Sequence, residues 1–388
     1  MKTASDAAMQ ALVFSLVAAA FTTVYITQPV LPVIQDEFGV DARTASLSVS
    51  MVILGMALAN LPFGMLADRY PVKPLILAGG TVIGAAGLLC ATTDSIALLI
   101  AARFLQGLFI PSLTTCLVAY LAKSLPASRL NVVMGSYVSA TVAGGLGGRL
   151  LGGWIHPPLH WRYAFASSSL LLITATIAAF YRLPRENAEH RTEPRQVGFT
   201  KLLAEPGLAR LFVVGFGAFF VFSSTFNYIP FYLSRPPFSA RTEVITLMYL
   251  AYLIGIIIGP VAGRISNRMG SGPTIALGSL VFAAAIAATL IQSLAVIAAS
   301  LVAICAGFFT IHAAAVGLLN RRLISSRGRA NSLYVLFYYV GGATGITACG
   351  YTYMGYGWSG VAALGVAVIF LPLCVGLTEI MEERKSRS

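Results

Sequence analysis

The chain has 388 residues, of which 57% are hydrophobic and 10% charged, and its formal net charge is +12. Soluble domains carry about 25% charged residues, so a soluble globular protein is excluded. The basic excess could suggest a nucleic-acid partner, but the cations cluster between apolar runs, which excludes that reading.

Twelve apolar runs follow in chain order, at about 10–33, 44–66, 75–93, 96–121, 131–155, 162–181, 209–232, 244–265, 273–291, 294–318, 330–353 and 359–380. Each is long enough to cross about 30 Å of hydrocarbon as a helix. The runs are continuous rather than alternating, which rules out a β-barrel. The first could pass for a signal peptide cut near Ala18-Ala19-Ala20, but it continues to Val33, too long for such a segment. With the N-terminus inside, the inner loops hold twenty cations and the outer loops only Arg43, Arg162, Arg235 and Arg241. That bias predicts both termini on the inner side, with the basic loops facing anionic lipid.

The longest polar segment, 184–207, is rich in Pro, Glu and Arg and divides the chain into 1–183 and 208–388. The halves repeat at an offset of about 200. Arg129-x-Asn131 recurs as Arg329-x-Asn331, Gly107 as Gly307, and Gly64 with Arg69 as Gly263 with Arg268. The expected fold is all-α: twelve transmembrane helices in two pseudo-symmetric six-helix bundles. Such repeats suggest alternating access around a midplane substrate site.

Three stretches of the first half carry chemistry. The loop after the second span reads Gly64-Met65-Leu66-Ala67-Asp68-Arg69-Tyr70-Pro71-Val72-Lys73. The fourth span carries Leu99-x3-Arg103-x2-Gln106-Gly107, with Arg103 and Gln106 on one helix face. The fifth carries Gly135, Gly144, Gly148, Gly152 and Gly153. Gly144, Gly148 and Gly152 fall four apart, so they share a face on which another backbone can approach closely. Arg149 lies in the same segment, about 100° from that row, at roughly the depth of Arg103. An arginine at such depth marks a functional site by default. Anchoring to backbone carbonyls is the alternative for Arg103, and bracing against helix-end carbonyls the alternative for Arg149.

Together these motifs resemble the major facilitator superfamily, in its drug:proton antiporter or sugar-efflux-permease-like branch. The loop resembles G-x-L-a-D-R-x-G-R-K, departing at Pro71 and Val72. The fifth span resembles the exporters' antiporter motif, with Arg149 where proline is usual. The resemblance implies the major facilitator fold. It also implies that Gly64, Asp68, Arg69 and Lys73 form a latch between the halves, and that the glycines of the fifth span pack helices.

No acid lies deep in a span. The corresponding stretch of the first span offers Tyr25, Thr27 and Gln28 instead. His312, in the tenth span, suits a proton relay, since histidine titrates near neutrality. A core histidine bonded to a neighbouring hydroxyl is the other reading. Tyr25, Gln28, Asn60, Tyr137, Phe226, Asn227, Tyr228, Tyr334, Phe337 and Tyr338 could line a cavity, or serve in helix packing. The five cysteines show no disulfide or metal spacing. No G-x4-G-K-[ST] stretch occurs, so neither nucleotide nor any other cofactor is expected.

The chain therefore reads as a transporter, not an enzyme. The leading expectation is a monomeric, proton-coupled exporter of small amphipathic compounds in a bacterial-type inner membrane. Its partners would be a small-molecule substrate, protons and membrane lipids, with no nucleic acid. An organic-anion carrier using Arg103 and Arg149 is one alternative; a transporter-like receptor or a lipid flippase is another.

Overall fold

In the computed structural model, residues 6–125, 127–183, 197–323 and 326–385 are described, and among them the chain is helical, with no strand. The expected linker lies outside the described residues over 184–196, as do the side chains of Arg129 and Asn131. The membrane helices are α1 (Ala7–Phe38), α2 (Ala42–Arg69), α3 (Val72–Thr92), α4 (Ile96–Ser124), α5 (Ala127–Ile155), α6 (Arg162–Arg182), α7 (Pro206–Ser234), α8 (Thr242–Met269), α9 (Ser271–Ala288) and α10 (Leu294–Arg322). Arg327–Lys385 is two helices: Gly357, at φ 59° and ψ −146°, separates α11 before it from α12 after it. That φ is one that glycine adopts without a steric penalty.

Proline and glycine set the interruptions. Within α1 a first helix, Asp6–Tyr25, gives way to a single 3-10 turn, Gln28–Val30, before Leu31–Phe38. Pro29 has no N–H for the Tyr25 carbonyl, and its ring crowds that oxygen, so the α-helix cannot run through. Gly39 (φ 61°) ends α1 in the left-handed conformation, and Asp41 begins α2 by accepting the Thr44 N–H at 2.6 Å. α4 likewise breaks at Thr114, three residues after Pro111.

The helices fall into two compact units. The first comprises Met1–Arg191 with Arg241–Tyr249; the second comprises Thr192–Ala240 with Leu250–Ser388. In the first, α1 packs on α5 and α6, α2 on α4, and α3 on α4 and α6. In the second, α7 packs along Arg327–Lys385, and α9 on α10 and the same long element. Leu170, Leu171, Ile256 and Ile257 stay more than half exposed, as side chains facing hydrocarbon would be.

Polar side chains close the loops of the first unit. Glu37, at the end of α1, accepts from the Trp161 indole N–H and pairs with Arg162 at 2.8 Å and His160 at 3.3 Å. Arg162 also reaches Asp94 at 3.0 Å and the Thr93 carbonyl at 2.7 Å.

Candidate substrate and coupling sites

The break in α1 organises the polar interior of the first unit. Where a helix stops, its last carbonyls lose their N–H partners and carry negative partial charge. Arg103 of α4 supplies those donors. Its Nη1 donates to the Thr23 carbonyl at 2.6 Å and its Nη2 to the Val24 carbonyl at 2.5 Å, while Nε donates to the Ser48 carbonyl at 2.8 Å. Gln106 Oε1 accepts from Nη1 at 2.7 Å, and Gln106 Nε2 donates to the Ile83 carbonyl at 3.1 Å. One guanidinium thus ties α1, α2 and α4 together, with α3 joined through Gln106. Arg103 is 0% exposed, with the Phe165 ring 5.5 Å away.

Arg149 of α5 uses the next few residues of the same break. Its Nε donates to Gln28 Oε1 at 2.7 Å and its Nη1 to the Gly145 carbonyl at 2.7 Å. The guanidinium lies 4.0 Å from the centre of the Tyr25 ring and 5.4 Å from that of Tyr249. It is 2% exposed. The sequence places the two arginines at one depth; the structure gives them successive acceptors on α1, residues 23–24 for one and 25–28 for the other.

The glycine row seats α5 on α1. A Cβ added at Gly144, Gly148 or Gly152 would overlap the carbonyl oxygen of Ala18, Thr22 or Ile26, which also fall four apart. A Cβ at Gly153 would meet Thr246. Gly135 needs correction as a packing glycine: no heavy atom lies within 4 Å of a Cβ built there. It precedes Gly144 by nine residues, which at about 100° each places it on the opposite side of the helix.

The remaining candidates of this unit lie elsewhere. Asn60 Oδ1 accepts from the Thr115 hydroxyl at 2.6 Å, and the half-buried Tyr137 faces Thr114, so both flank the break in α4. In the loop motif, Gly64 lies against Thr115, and exposed Asp68 is 3.7 Å from Lys123. Arg69 is exposed, and Lys73 donates to the Leu183 carbonyl at 2.8 Å.

In the second unit the candidates sit among aromatic rings. His312 Nδ1 is 3.1 Å from the Tyr334 hydroxyl, with the Tyr338 ring 5.4 Å from the imidazole. Tyr338 stacks on Phe219 at 3.7 Å, and Phe222 on Phe308 at 3.8 Å. Phe226 joins this group through Phe222 and Tyr252, and Phe337 stacks on Phe212. Tyr228 points the other way, donating to the Ile346 carbonyl at 3.0 Å and stacking on Tyr353, while Asn227 is fully buried.

Two features escape the sequence reading. Gly341 and Gly345 of α11 meet the Phe216 and Phe220 carbonyls of α7 just as the α5 row meets α1. Their signal is present: two glycines four apart, in the matching helix of the repeat. The second is Glu379, which by sequence lies at the end of the twelfth run and counts among acids not deep in a span. It is 1% exposed near the end of α12, 2.5 Å from Arg322 and 3.6 Å from Arg210, beside a two-pronged Arg210–Glu382 pair. Its partners come from α7 and α10, so no local pattern announces it.

The model of the Major Facilitator Superfamily matches residues 13–346. The chain belongs to the major facilitator superfamily. Among relatives in this family, it is 30% identical over 341 residues to the inner membrane transport protein YnfM of Escherichia coli (strain K12), covering 87% of this chain and 82% of that one. It is 29% identical over 343 residues to the MFS-type transporter YybF of Bacillus subtilis (strain 168), covering 85% and 83%. Its fold is similar to that of a bacterial homologue of the human lysosomal transporter Spinster, crystallised inward-facing and unoccupied, with a TM-score of 0.78 at 15% identity over 99% of this chain and 98% of that one. A variant of the nucleoside transporter NupG matches with a TM-score of 0.78 at 11% identity, over 96% and 99%. The superfamily fold accounts for the two six-helix halves, and in this chain a glycine-mediated crossing recurs in each.

Proposed function

We propose that this protein is a secondary active transporter that exports small amphipathic compounds by alternating access, coupled to protons. It works as a monomer in a bacterial-type inner membrane with both termini on the inner side. The observation that carries the reading is the row of Gly144, Gly148 and Gly152 seated on the carbonyls of α1. That contact is what the exporter motif of the fifth helix implies, and it holds although Arg149 replaces the motif's proline. Proton coupling is assigned to His312, the histidine within a span, whose ring nitrogen shares a hydrogen bond with Tyr334. Asp68 and Arg69 act as the latch between the halves, with Lys123 as Asp68's partner when the latch is open.

Transport into inside-out proteoliposomes under an imposed pH gradient, with cationic, neutral and anionic amphipathic compounds, tests the reading. Gradient-driven uptake of at least one compound is expected, with Asp68→Asn and His312→Gln well folded but several-fold slower. Uptake that ignores the gradient would remove proton coupling, and absence of uptake for every compound would remove the exporter.

A further inference from the structure

Five rings of the second unit lie one against the next. Tyr338 stacks on Phe219 at 3.7 Å between centroids with planes 11° apart, and Phe219 stacks more loosely on Phe222 at 6.3 Å and 28°. Phe222 stacks on Phe308 at 3.8 Å and 14°, and Phe308 faces the His312 imidazole at 6.0 Å and 13°. A series of apolar ring faces thus ends on a polar ring. His312 Nδ1 is engaged, 3.1 Å from the Tyr334 hydroxyl. Its Nε2 has no hydrogen-bond partner among the described residues, and the side chain is half-buried rather than sealed. The titratable side chains around it are Tyr334 and Tyr338 of α11, while α7 presents phenylalanine rings to the stack. Among the described residues no charged side chain acts on it. A neutral imidazole holds one N–H and one lone pair, whereas a protonated one holds two N–H groups and no lone pair. The Tyr334 hydroxyl can donate or accept, so it fits Nδ1 in every form. Protonation is therefore felt at Nε2, where neutral His312 can offer a lone pair and charged His312 cannot.

We propose that His312 Nε2 and the rings around it form a subsite for a planar aromatic compound whose polar group is a neutral N–H donor, the chemistry of an indole or a carbazole. The compound donates its N–H to the Nε2 lone pair, while Nδ1–H donates to the Tyr334 oxygen. Its flat apolar body packs against aromatic side chains, which favour other rings. The compound and a proton then compete for one lone pair. A proton taken from water turns Nε2 into a donor that opposes the N–H of the compound, and the compound leaves. When His312 returns that proton to water, the lone pair is restored and the next molecule binds. One proton is thus taken up for each molecule released, and the exchange is built into a single atom. The inference rests on the transporter reading above, in which His312 carries the coupling proton, and adds to it a substrate class.

The full chain in phosphatidylcholine nanodiscs, with empty nanodiscs as the measure of partition into lipid, provides the test. Two matched pairs serve as probes: indole with 1-methylindole, and carbazole with 9-methylcarbazole. None of the four titrates between pH 8 and pH 4. Equilibrium dialysis at pH 8 is expected to show at least one N–H compound binding about tenfold more tightly than its N-methyl partner, the size of one net hydrogen bond. That preference should shrink several-fold as the pH is lowered to 4. His312→Leu should show no preference at any pH. His312→Gln is the decisive variant, because its amide oxygen accepts an N–H but does not titrate. It should keep the preference and hold it constant across the range. Equal binding in both pairs at pH 8, a preference in the parent that ignores pH, or one that survives His312→Leu overturns the subsite. Should the leucine variant fail to fold, His312→Gln decides: a preference that is absent, or that still fades with acid, overturns it. Gradient-driven transport without N–H preference would remove the subsite and keep the exporter. N–H preference without any transport would do the reverse.

Discussion

Around α1 of the first unit the interior is built from charge and hydrogen bonds: two arginines, two glutamines and the carbonyls of a broken helix. Around α7 of the second unit it is built from rings, with Phe219 on Tyr338 and Phe222 on Phe308, each pair stacked face to face at under 4 Å between centroids. The backbones of the two regions cross in the same way, glycine against carbonyl, at Gly144 and Gly148 on one side and Gly341 and Gly345 on the other. What the repeat keeps is the crossing; what it varies is the filling. A glycine–carbonyl contact admits no side chain, so it tolerates little change, whereas the space beside it can be filled by any group of suitable volume. The arginine-centred hydrogen bonds around α1 and the aromatic stacking around α7 thus occupy different halves of one scaffold.

Removing the shared element should hurt both halves most. Gly148→Leu, Gly152→Leu and Gly345→Leu each force two backbones apart and should destabilise by about 3 kcal/mol or more. Little folded monomer is then expected by size-exclusion chromatography in detergent. Gly147→Leu is the control, since the nearest atom to its added Cβ is the Thr22 hydroxyl at 3.9 Å. Comparable damage at Gly147 would mean that the row is not the contact face.

Removing the polar filling comes next. Arg103→Leu strips the donors from the Thr23 and Val24 carbonyls while adding a well-sized apolar group. About 2–3 kcal/mol should be lost, seen as a lower melting temperature, because buried acceptors are left unmet. A rise in melting temperature would show that the break in α1 needs no clasp.

On the aromatic side the loss should be smaller. Tyr338→Leu keeps most of the buried area but ends the stacking on Phe219, worth about 1 kcal/mol. A loss as large as that of Arg103→Leu would make the ring stack as indispensable as the clasp.

The smallest effect sharpens the comparison at a helix start. Asp41 caps α2, whereas Arg241, at the corresponding start of α8, makes no side-chain cap. Asp41→Ala should cost about 1 kcal/mol at neutral pH and Arg241→Ala almost nothing. The Thr44 N–H bonded to the Asp41 carboxylate holds its pKa below the usual 3.8. The cap's contribution is therefore complete above that value and lost as the pH falls through the lower, folded-state pKa. The gap between parent and Asp41→Ala should close in that acid range; a gap independent of pH would mean that the charged form does not cap.

Much of this was legible in the sequence. The twelve helices follow from continuous apolar runs, and the α5 row follows from four-residue spacing, which is a one-dimensional signal. The break inside α1 was not read, although Pro29 and Pro32 announce it, because hydropathy runs unchanged through 26–34. The Arg103–Gln106 pair was legible as a shared face, but not its targets, since carbonyls freed by a helix end leave no mark in side-chain pattern. The ring stack and the burial of Glu379 were illegible for a common reason: their partners come from other helices, and periodicity tells which way a residue points but not what it meets.

The acceptors of the buried arginines also have an order in time. Thr23, Val24 and Ser48 precede Arg103, and Gln28 and Gly145 precede Arg149, while Gln106 follows Arg103 on its own helix. A chain inserted as it is synthesised therefore has α1 and α2 in the bilayer before either cation arrives. An arginine at mid-helix costs about 2.5–3.5 kcal/mol on insertion scales, and here the receiving carbonyls are waiting. Biogenesis and architecture are thereby matched: each charge enters hydrocarbon after these earlier acceptors. In a glycosylation-mapping assay, α4 should insert poorly alone and efficiently behind α1 and α2, and Arg103→Leu should abolish the difference.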